Sequence, residues 1–140
     1  MSTPVVSEWT GEAVPGNLEA VQSLVEECLE AAGCPMKTQM KIAVAVEEIF
    51  INIASYAYAP GTGNATVCVE FPEDGTSVTI SFADRGKAYD PLSRDDPDIS
   101  LPAEQRDVGG LGILMTKKLM DEVSYEYKDG QNVLTMKKKL

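Results

Sequence analysis

The fold is decided by residues 37–58. Together with the preceding Met36 they read MKTQMKIAVAVEEIFINIASYAY. Apolar side chains recur on every side of a helix drawn through this stretch, and a helix that is apolar all round is a buried one. The residues that leave it no wet face are Met40, Ile42, Val44, Val46, Ile49, Phe50, Ile51 and Ile53. The sequence therefore predicts a long, buried central helix.

Four polar residues share one side of this helix. Lys41 lies seven residues before Glu48, while Asn52 and Ser55 lie four and seven residues after it. At 3.6 residues per turn these offsets form one narrow stripe. A carboxylate and an amide on a central helix are costly to bury without partners, so the stripe either lines a site or is a solvated edge of the helix. If it lines a site, Glu48 and Asn52 are the residues best suited to chemistry.

Length and charge limit the classes of function that remain. With 140 residues, the chain is expected to form one domain, 1–140, that is large enough to bury a core. Twelve Lys and Arg against 22 Asp and Glu give a net charge of −10, which argues against direct binding to nucleic acid or anionic lipid. The sequence shows neither a bilayer-spanning apolar run nor a signal peptide, so a cytoplasmic protein is expected.

The rare residue types exclude several kinds of catalysis. The chain contains no His, which removes Ser-His-Asp and Cys-His catalysis and phosphoryl transfer to a His of this chain. Its three cysteines, Cys28, Cys34 and Cys68, are scattered and form no metal-binding pattern. We expect them to be inert thiols in a reducing cytoplasm. The P-loop pattern is also absent from the sequence.

Hydrophobic periodicity divides the rest of the chain into short elements. Two further helices are predicted, at 17–32, with Asn17 as its N-cap, and at 109–121. The residues expected to face inward on the second are Leu111, Leu114, Met115 and Leu119. Strands are predicted at 4–10, 66–71, 77–83, 123–128 and 132–138, with hairpin turns at 72–76 and Asp129-Gly130. This pattern predicts an α+β fold, a two-layer sandwich in which helices cover one face of a mixed, mostly antiparallel sheet.

Residues 84–108 lack any such periodicity. They contain several acids and prolines, and a loop of this length inside a compact domain is usually a lid or a binding loop. We predict a mobile lid that a protease cuts near Arg94 or Arg106 and that ligand protects.

Two of the stretches that carry chemistry lie on the central helix and at the start of the long loop. In Glu48-x-x-x-Asn52, the Asn carbonyl oxygen suits Mg²⁺, and a carboxylate one turn away can accept a proton. After the strand at 77–83, Asp84 can accept a hydrogen bond from the exocyclic amine of a base, and Gly86 permits close approach of the backbone. A plain turn is the alternative interpretation of this second stretch.

The third stretch is Gly109-Gly110-Leu111-Gly112-Ile113, at the start of a predicted helix. Free N–H groups and the helix dipole favour an anion there. Three glycines in four positions carry a large entropic cost, which is reasonable where a backbone folds tightly around phosphates. A flexible hinge for the long loop is the alternative.

In this order, the three stretches resemble the ATP-binding domain of the histidine-kinase-like ATPases, the Bergerat fold. The small size and the run EEIFINIASYAY, residues 47–58, most resemble the stand-alone anti-sigma factor serine/threonine kinases. The resemblance extends from about residue 17 onward. It implies that Glu48 is the catalytic carboxylate, that Asn52 binds Mg²⁺, and that Asp84, with Gly86 beside it, reads the adenine amino group.

The resemblance also implies how the phosphates are held. The phosphate-binding turn and the cations near it would comprise Lys87, Arg106, Gly109, Gly110, Leu111 and Gly112. The protein would bind ATP and Mg²⁺, sequester a sigma factor in one state, and phosphorylate Ser or Thr on an anti-anti-sigma antagonist protein in another. A homodimer is expected from the family alone.

Three alternatives to this function stay open at the level of sequence. The first is an ATP-responsive binding module that switches a partner without phosphoryl transfer. The second is the ATPase domain of a larger machine, against which the short chain and the lack of His count. The third is an α+β domain that binds no nucleotide.

Overall fold

The computed structural model describes residues 5–72, 75–93 and 110–140. In chain order these form β1 (Val5–Glu12), α1 (Leu18–Ala31), α2 (Met36–Tyr56), β2 (Asn64–Phe71), β3 (Ser77–Asp84), α3 (Gly110–Leu119), β4 (Glu122–Lys128) and β5 (Gln131–Lys139). Short 3-10 turns occupy Pro15–Asn17 and Pro91–Ser93. Each predicted helix and strand is present, with ends that differ from the prediction by at most two residues. The predicted α+β class is confirmed.

The five strands form one sheet in the order β1-β2-β3-β5-β4. Every strand pair in the described part of the chain is antiparallel, so the prediction of a mixed sheet is wrong. The reason lies in the connections. A parallel neighbour needs a single crossover helix, whereas β1 is joined to β2 by two helices with a short link between them. Such helices run antiparallel, so α2 returns the chain to the end of the sheet at which β1 finished.

The inner face of the sheet packs against the helices and forms the core. Side chains alternate along each strand, and Trp9, Val67, Phe82 and Leu134 lie side by side across four strands in register. Val67 and Phe82 are almost fully buried. The ring of Phe50 on α2 meets Trp9 edge to face, with centroids 5.8 Å apart. The alternation predicted for β2 and β3 is therefore confirmed.

The prediction that α2 is buried on all sides is wrong. It packs between α1 and α3, but Met36, Met40 and Val44 lie one turn apart and are exposed, Met40 to 64%. The three helices form one layer on the sheet, so the central helix keeps a free side that points away from it. The continuous run of apolar residues therefore predicts more burial than the helix has.

The inward face of α3 also differs from the prediction. Its buried residues are Ile113 and Thr116, and Met120 directly after it is also buried, whereas Met115 is exposed and Leu114 and Leu119 are half-buried. The side chain of Leu111 lies outside the described residues. Thr116 tolerates burial because its hydroxyl donates to the carbonyl of Gly112 at 3.0 Å. Because the buried side of α3 contains this polar residue, the pattern of apolar residues predicted the wrong inward face.

The sequence predicts an N-cap at Asn17 and a hairpin turn at Asp129-Gly130. Asn17 precedes α1 but makes no side-chain cap; its amide donates instead to the carbonyl of Glu12 at 2.8 Å. Asp129 and Gly130 have φ angles of 55° and 76°, as a two-residue hairpin between β4 and β5 requires.

The larger part of the predicted lid, residues 94–108 with Arg94 and Arg106, lies outside the described residues. In the ranges that are described, no helix combines the length and hydropathy needed to span a bilayer.

Candidate functional site

The inner face of the sheet becomes polar at one end, around Asp84. This last residue of β3 is only 6% exposed. Its Oδ1 accepts hydrogen bonds from the backbone N–H of Gly86 and from the side-chain amide of Asn132, both at 2.9 Å. Within the described part of the chain its Oδ2 accepts none, and no buried side-chain N or O there lacks a partner, so Oδ2 retains access to solvent. Asp84 can therefore accept a hydrogen bond from a ligand.

The loop after β3 crosses closely over the C-terminal end of α2. A Cβ on Gly86 would overlap the carbonyl oxygen of Ala57, so glycine is required at this crossing. The backbone N–H of Lys87 donates to the same carbonyl at 3.1 Å, and the Lys87 side chain is exposed. The structure thus brings Asp84, Gly86 and Lys87 together beside α2.

Asn132 is a buried polar residue that the sequence reasoning missed. It lies on β5 directly opposite Asp84 and is 7% exposed. One signal was available, because Asn132 occupies the same strand face as the buried Leu134 and Met136. A polar residue at an inward position beside another one indicates a paired network.

The side chain of Asn132 joins three segments of the chain. Besides Asp84, its amide N–H groups donate to the carbonyls of Lys87 at 2.8 Å and Gly86 at 3.4 Å. Its oxygen accepts from the backbone N–H of Tyr89 at 3.1 Å and from the hydroxyl of Tyr125. The first residues of the predicted lid are therefore tied to the sheet.

Tyr125 acts as a hydrogen-bond donor in this network. Burial raises the pKa of its hydroxyl, a backbone hydrogen bond at Tyr89 lowers it, and the carboxylates of Asp90 and Asp84 raise it further. The net shift is upward from 10.0, so the hydroxyl keeps its proton at neutral pH.

The second group of predicted site residues lies on α2. Glu48 and Asn52 are both half-buried and lie one turn apart on the same side of the helix. Neither side chain makes a hydrogen bond to another described residue, and the described residues include no buried unpaired side-chain N or O. Both side chains therefore reach solvent and are available to a ligand. Glu47, about 100° around the helix, is exposed.

The first turn of α3 lies against Glu48. A Cβ on Gly112 would overlap Glu48 Oε2, so a larger residue there would displace the Glu48 carboxylate. Gly110 is the first residue of α3, and Leu111 follows it. The first N–H groups of a helix have no intrahelical partner, and they and the helix dipole attract anions. An anion-attracting helix end thus lies next to a carboxylate; Gly109 and Arg106 lie outside the described residues.

Helix α2 connects the two groups. Glu48 contacts α3 and Ala57 contacts the loop after β3, and the two residues are nine positions apart, which corresponds to about 13.5 Å along the helix axis. An elongated ligand lying along α2 can contact Asp84 with one end and the start of α3 with the other.

The residues at the Glu48 end of α2 are suited to a hard cation. In the described ranges, no three His, Cys, Asp or Glu side chains cluster as a metal site. Mg²⁺ normally takes one or two ligands from protein and the rest from water and phosphate. The solvent-accessible amide oxygen of Asn52 is suited to such a site, and it adds no negative charge beside phosphate.

Comparison with known proteins identifies relatives of this arrangement. Residues 11–138 match the family described as histidine kinase-like ATPase domain. The serine/threonine-protein kinase BtrW of Bordetella bronchiseptica is 28% identical over 100 residues, which cover 71% of this chain and 70% of the relative. The serine-protein kinase RsbW of Listeria monocytogenes is 26% identical over 110 residues, with 76% and 69% covered. The resemblance predicted from the sequence is confirmed.

Two solved structures share the fold. The RsbU and RsbW domains of Rv1364c from Mycobacterium tuberculosis align with a TM-score of 0.68 at 20% identity over 99% of this chain. The chain spans 33% of the length of that structure. The SiaB–SiaC complex from Pseudomonas aeruginosa aligns with a TM-score of 0.58 at 20% identity, covering 96% of this chain and 89% of the matched one.

Proposed function

This chain belongs to the histidine kinase-like ATPase family, and from that membership we propose that it is a Mg²⁺-dependent kinase of an anti-anti-sigma antagonist protein that also sequesters a sigma factor. The predicted enzyme class, a protein serine/threonine kinase that uses ATP, agrees with the names of the Bordetella and Listeria relatives. The metal, the antagonist, the sigma factor and the residue roles below belong to the proposal.

The observation that carries the proposal is the placement of two chemically different ends along α2. At the Ala57 end, Asp84 offers a free carboxylate oxygen, which suits the amino group of adenine. At the Glu48 end, the first turn of α3 offers backbone N–H groups, which suit phosphates. The γ-phosphate would then lie near Glu48 and Asn52.

The transfer step follows from this placement. The hydroxyl oxygen of the antagonist's Ser or Thr attacks the γ-phosphorus, the bond from that phosphorus to the bridging oxygen breaks, and ADP leaves. Glu48 takes the hydroxyl proton, since it is a solvent-accessible carboxylate beside the phosphate end. Asn52 would hold Mg²⁺, which when bound would neutralise part of the phosphate charge.

The remaining predicted residues would hold the phosphates. Gly110 and Gly112 would let the start of α3 approach the phosphates closely, and Leu111 would contribute the backbone N–H that lies between these glycines. Lys87 is exposed at the Ala57 end, beside Gly86, so it would add positive charge to the site from the adenine side. Arg106 and Gly109 are proposed to act with them from outside the described residues.

The regulatory outcome would follow from charge. A phosphate placed on the antagonist adds between one and a half and two negative charges, roughly, and this chain already carries −10. Like-charge repulsion and desolvation would release the phosphorylated antagonist and leave the kinase free to bind its sigma factor. We also expect the protein to act as a homodimer in the cytoplasm.

The test begins with partners captured from native cells by co-purification and identified by mass spectrometry. Transfer from ATP labelled on the γ-phosphate to the captured antagonist is then measured for wild type and for Glu48→Gln, beside the dissociation constant for ATP. Glu48→Gln should lower the transfer rate by about 10²–10⁴-fold with little change in ATP affinity. Asn52→Ala should weaken binding of Mg-ATP itself.

Glu47→Gln is the matched control, because Glu47 is exposed on another side of α2, and it should transfer phosphate like wild type. Wild-type transfer by Glu48→Gln would remove the assignment of Glu48 as base. Tight ATP binding by wild type without transfer to a verified antagonist would favour a binding switch. A melting temperature that Mg-ATP leaves unmoved would refute nucleotide binding, since ligand at a hundredfold over its Kd adds about 2.7 kcal/mol.

A further inference from the structure

The orientation of the Asn132 amide is determined by backbone groups. The N–H of Tyr89, at 3.1 Å, can only donate, so the side-chain oxygen of Asn132 must face it. The carbonyl of Lys87, at 2.8 Å, can only accept, so the amide nitrogen must face that side. A rotated amide would place donor against donor and acceptor against acceptor. Asn132 therefore has one satisfied orientation.

That orientation determines which oxygen of Asp84 remains available. It directs an amide N–H of Asn132 to Asp84 Oδ1 at 2.9 Å, and the N–H of Gly86 binds the same oxygen. Two donors satisfy Oδ1, and Oδ2 is left to accept from a ligand. An amino group at that point of a purine donates to Oδ2, whereas a keto oxygen would be repelled by it.

Tyr125 on β4 in turn holds Asn132. Its hydroxyl donates to the same oxygen that accepts from Tyr89. The oxygen of Asn132 thus faces two donors and its nitrogen faces acceptors alone. Tyr127, two residues further along β4, lies directly opposite Asn132, but it is 51% exposed and its hydroxyl makes no hydrogen bond to a described residue, so it is a matched position for removal of a hydroxyl.

We propose that Asn132 is a positioning residue that makes the site selective for adenine: by holding Asp84 Oδ1, it reserves Oδ2 for the 6-amino group, and Tyr125 secures Asn132. This inference rests on the proposed function, because it takes ATP as the ligand. It adds a residue of β5 that acts through Asp84.

The experiment measures dissociation constants of the full chain for ATP and for purine riboside triphosphate, which has hydrogen in place of the 6-amino group. Their ratio reports the hydrogen bond to Asp84 alone. For wild type we expect ATP to be preferred by about 10- to 100-fold, the range for a hydrogen bond to an ionised group. In Asn132→Asp, which keeps the shape but replaces the donor by a second acceptor, the ratio should fall about tenfold or more, with the affinity for purine riboside triphosphate nearly unchanged.

Tyr125→Phe is the milder variant, and it should lower the ratio by about fivefold, the effect of one neutral hydrogen bond. Gln131→Glu makes the same amide-to-acid change one residue earlier on the opposite face of β5, and Tyr127→Phe removes a hydroxyl outside the network. Both controls should keep the wild-type ratio. If circular dichroism shows that Asn132→Asp is unfolded, the ratio for Tyr125→Phe decides.

A purely structural role for Asn132 would weaken both triphosphates equally and leave the ratio at its wild-type value. That result, in a folded variant that binds ATP, would overturn the inference while leaving the proposed function intact. If wild type binds neither triphosphate, the proposed function itself is wrong and the inference fails with it.

Discussion

The strand pair β3–β5 has an aspartate near each end, and the two carboxylates have opposite surroundings. Asp84 ends β3, is 6% exposed and faces Asn132 near the start of β5. Asp121, just before β4, is exposed and receives a hydrogen bond at 2.6 Å from the backbone N–H of Lys139, the last residue of β5. Its other oxygen lies 3.7 Å from the ammonium group of Lys138.

Both aspartates therefore anchor β5, but they differ in what they leave unused. Both oxygens of Asp121 interact with the chain itself, whereas Asp84 uses Oδ1 alone. A largely buried carboxylate with one oxygen that accepts no hydrogen bond from the protein can bind a ligand where water competes weakly. The difference indicates a ligand-binding role for Asp84 and a structural role for Asp121, and the predictions below test this contrast.

The largest expected effect is that of Asp84→Asn on ATP binding. The amide oxygen of Asn can still accept from Gly86 and Asn132, so the fold should persist. Its NH₂ would then replace Oδ2 and face the adenine amino group, donor against donor, and ATP should bind about 10- to 100-fold more weakly. Asp121→Asn, measured by the same calorimetric titration, should bind ATP like wild type. Equal affinities for both variants would break the contrast.

Gly86→Ala should lower stability because the loop beside Asp84 has no room for a methyl group. The added Cβ would overlap the backbone of Ala57, which cannot move as a flexible side chain can. We expect a loss of about 1–3 kcal/mol in the free energy of unfolding, measured by urea denaturation. Gly16→Ala is the control, since no atom lies within 4 Å of the position of its Cβ, and it should be neutral or slightly stabilising. Similar values for the two variants would argue against the close crossing.

Tyr58→Phe tests a smaller anchor of the same loop. The Tyr58 hydroxyl accepts from the backbone N–H of Arg85 at 2.7 Å and donates to the carbonyl of Asn64 at 2.6 Å. Both bonds lie near solvent, so their joint loss should reduce the free energy of unfolding by about 1 kcal/mol. Tyr56→Phe, at an exposed neighbouring tyrosine, should have no effect in the same urea titration. A matching loss in both variants would mean that the hydroxyl of Tyr58 does not secure the loop.

The sequence predicts those parts of this contrast that depend on residues close together along the chain. Alternation along β3 predicted the strand, and Asp84 stood out as an acid at its end, because both signals are local. The pairing of Asp84 with Asn132 joins residues 48 positions apart, and strand order alone brings them together. The phase of α3 was also missed, because the hydroxyl of Thr116 is satisfied within its own helix and the residue can be buried despite its polarity.

The smallest expected effect is that of Asp121→Asn on stability and its pH dependence. The backbone hydrogen bond from Lys139 lowers the pKa of Asp121, burial opposes this shift, and the charges of Lys138 and Lys139 lower the pKa further, so that the net shift is downward. A carboxyl whose pKa is lower in the folded state stabilises the fold above its unfolded pKa, near 4, and loses that contribution as pH falls through the folded value. Because the side chain is exposed and screened, wild type should exceed Asp121→Asn by about 0.2–1 kcal/mol at neutral pH. The gap should shrink below about pH 4 in urea denaturation. Glu47→Gln, at an exposed position of α2, controls for loss of charge alone, and a gap that stays constant down to pH 2 would show that Asp121 does not help to hold the end of β5.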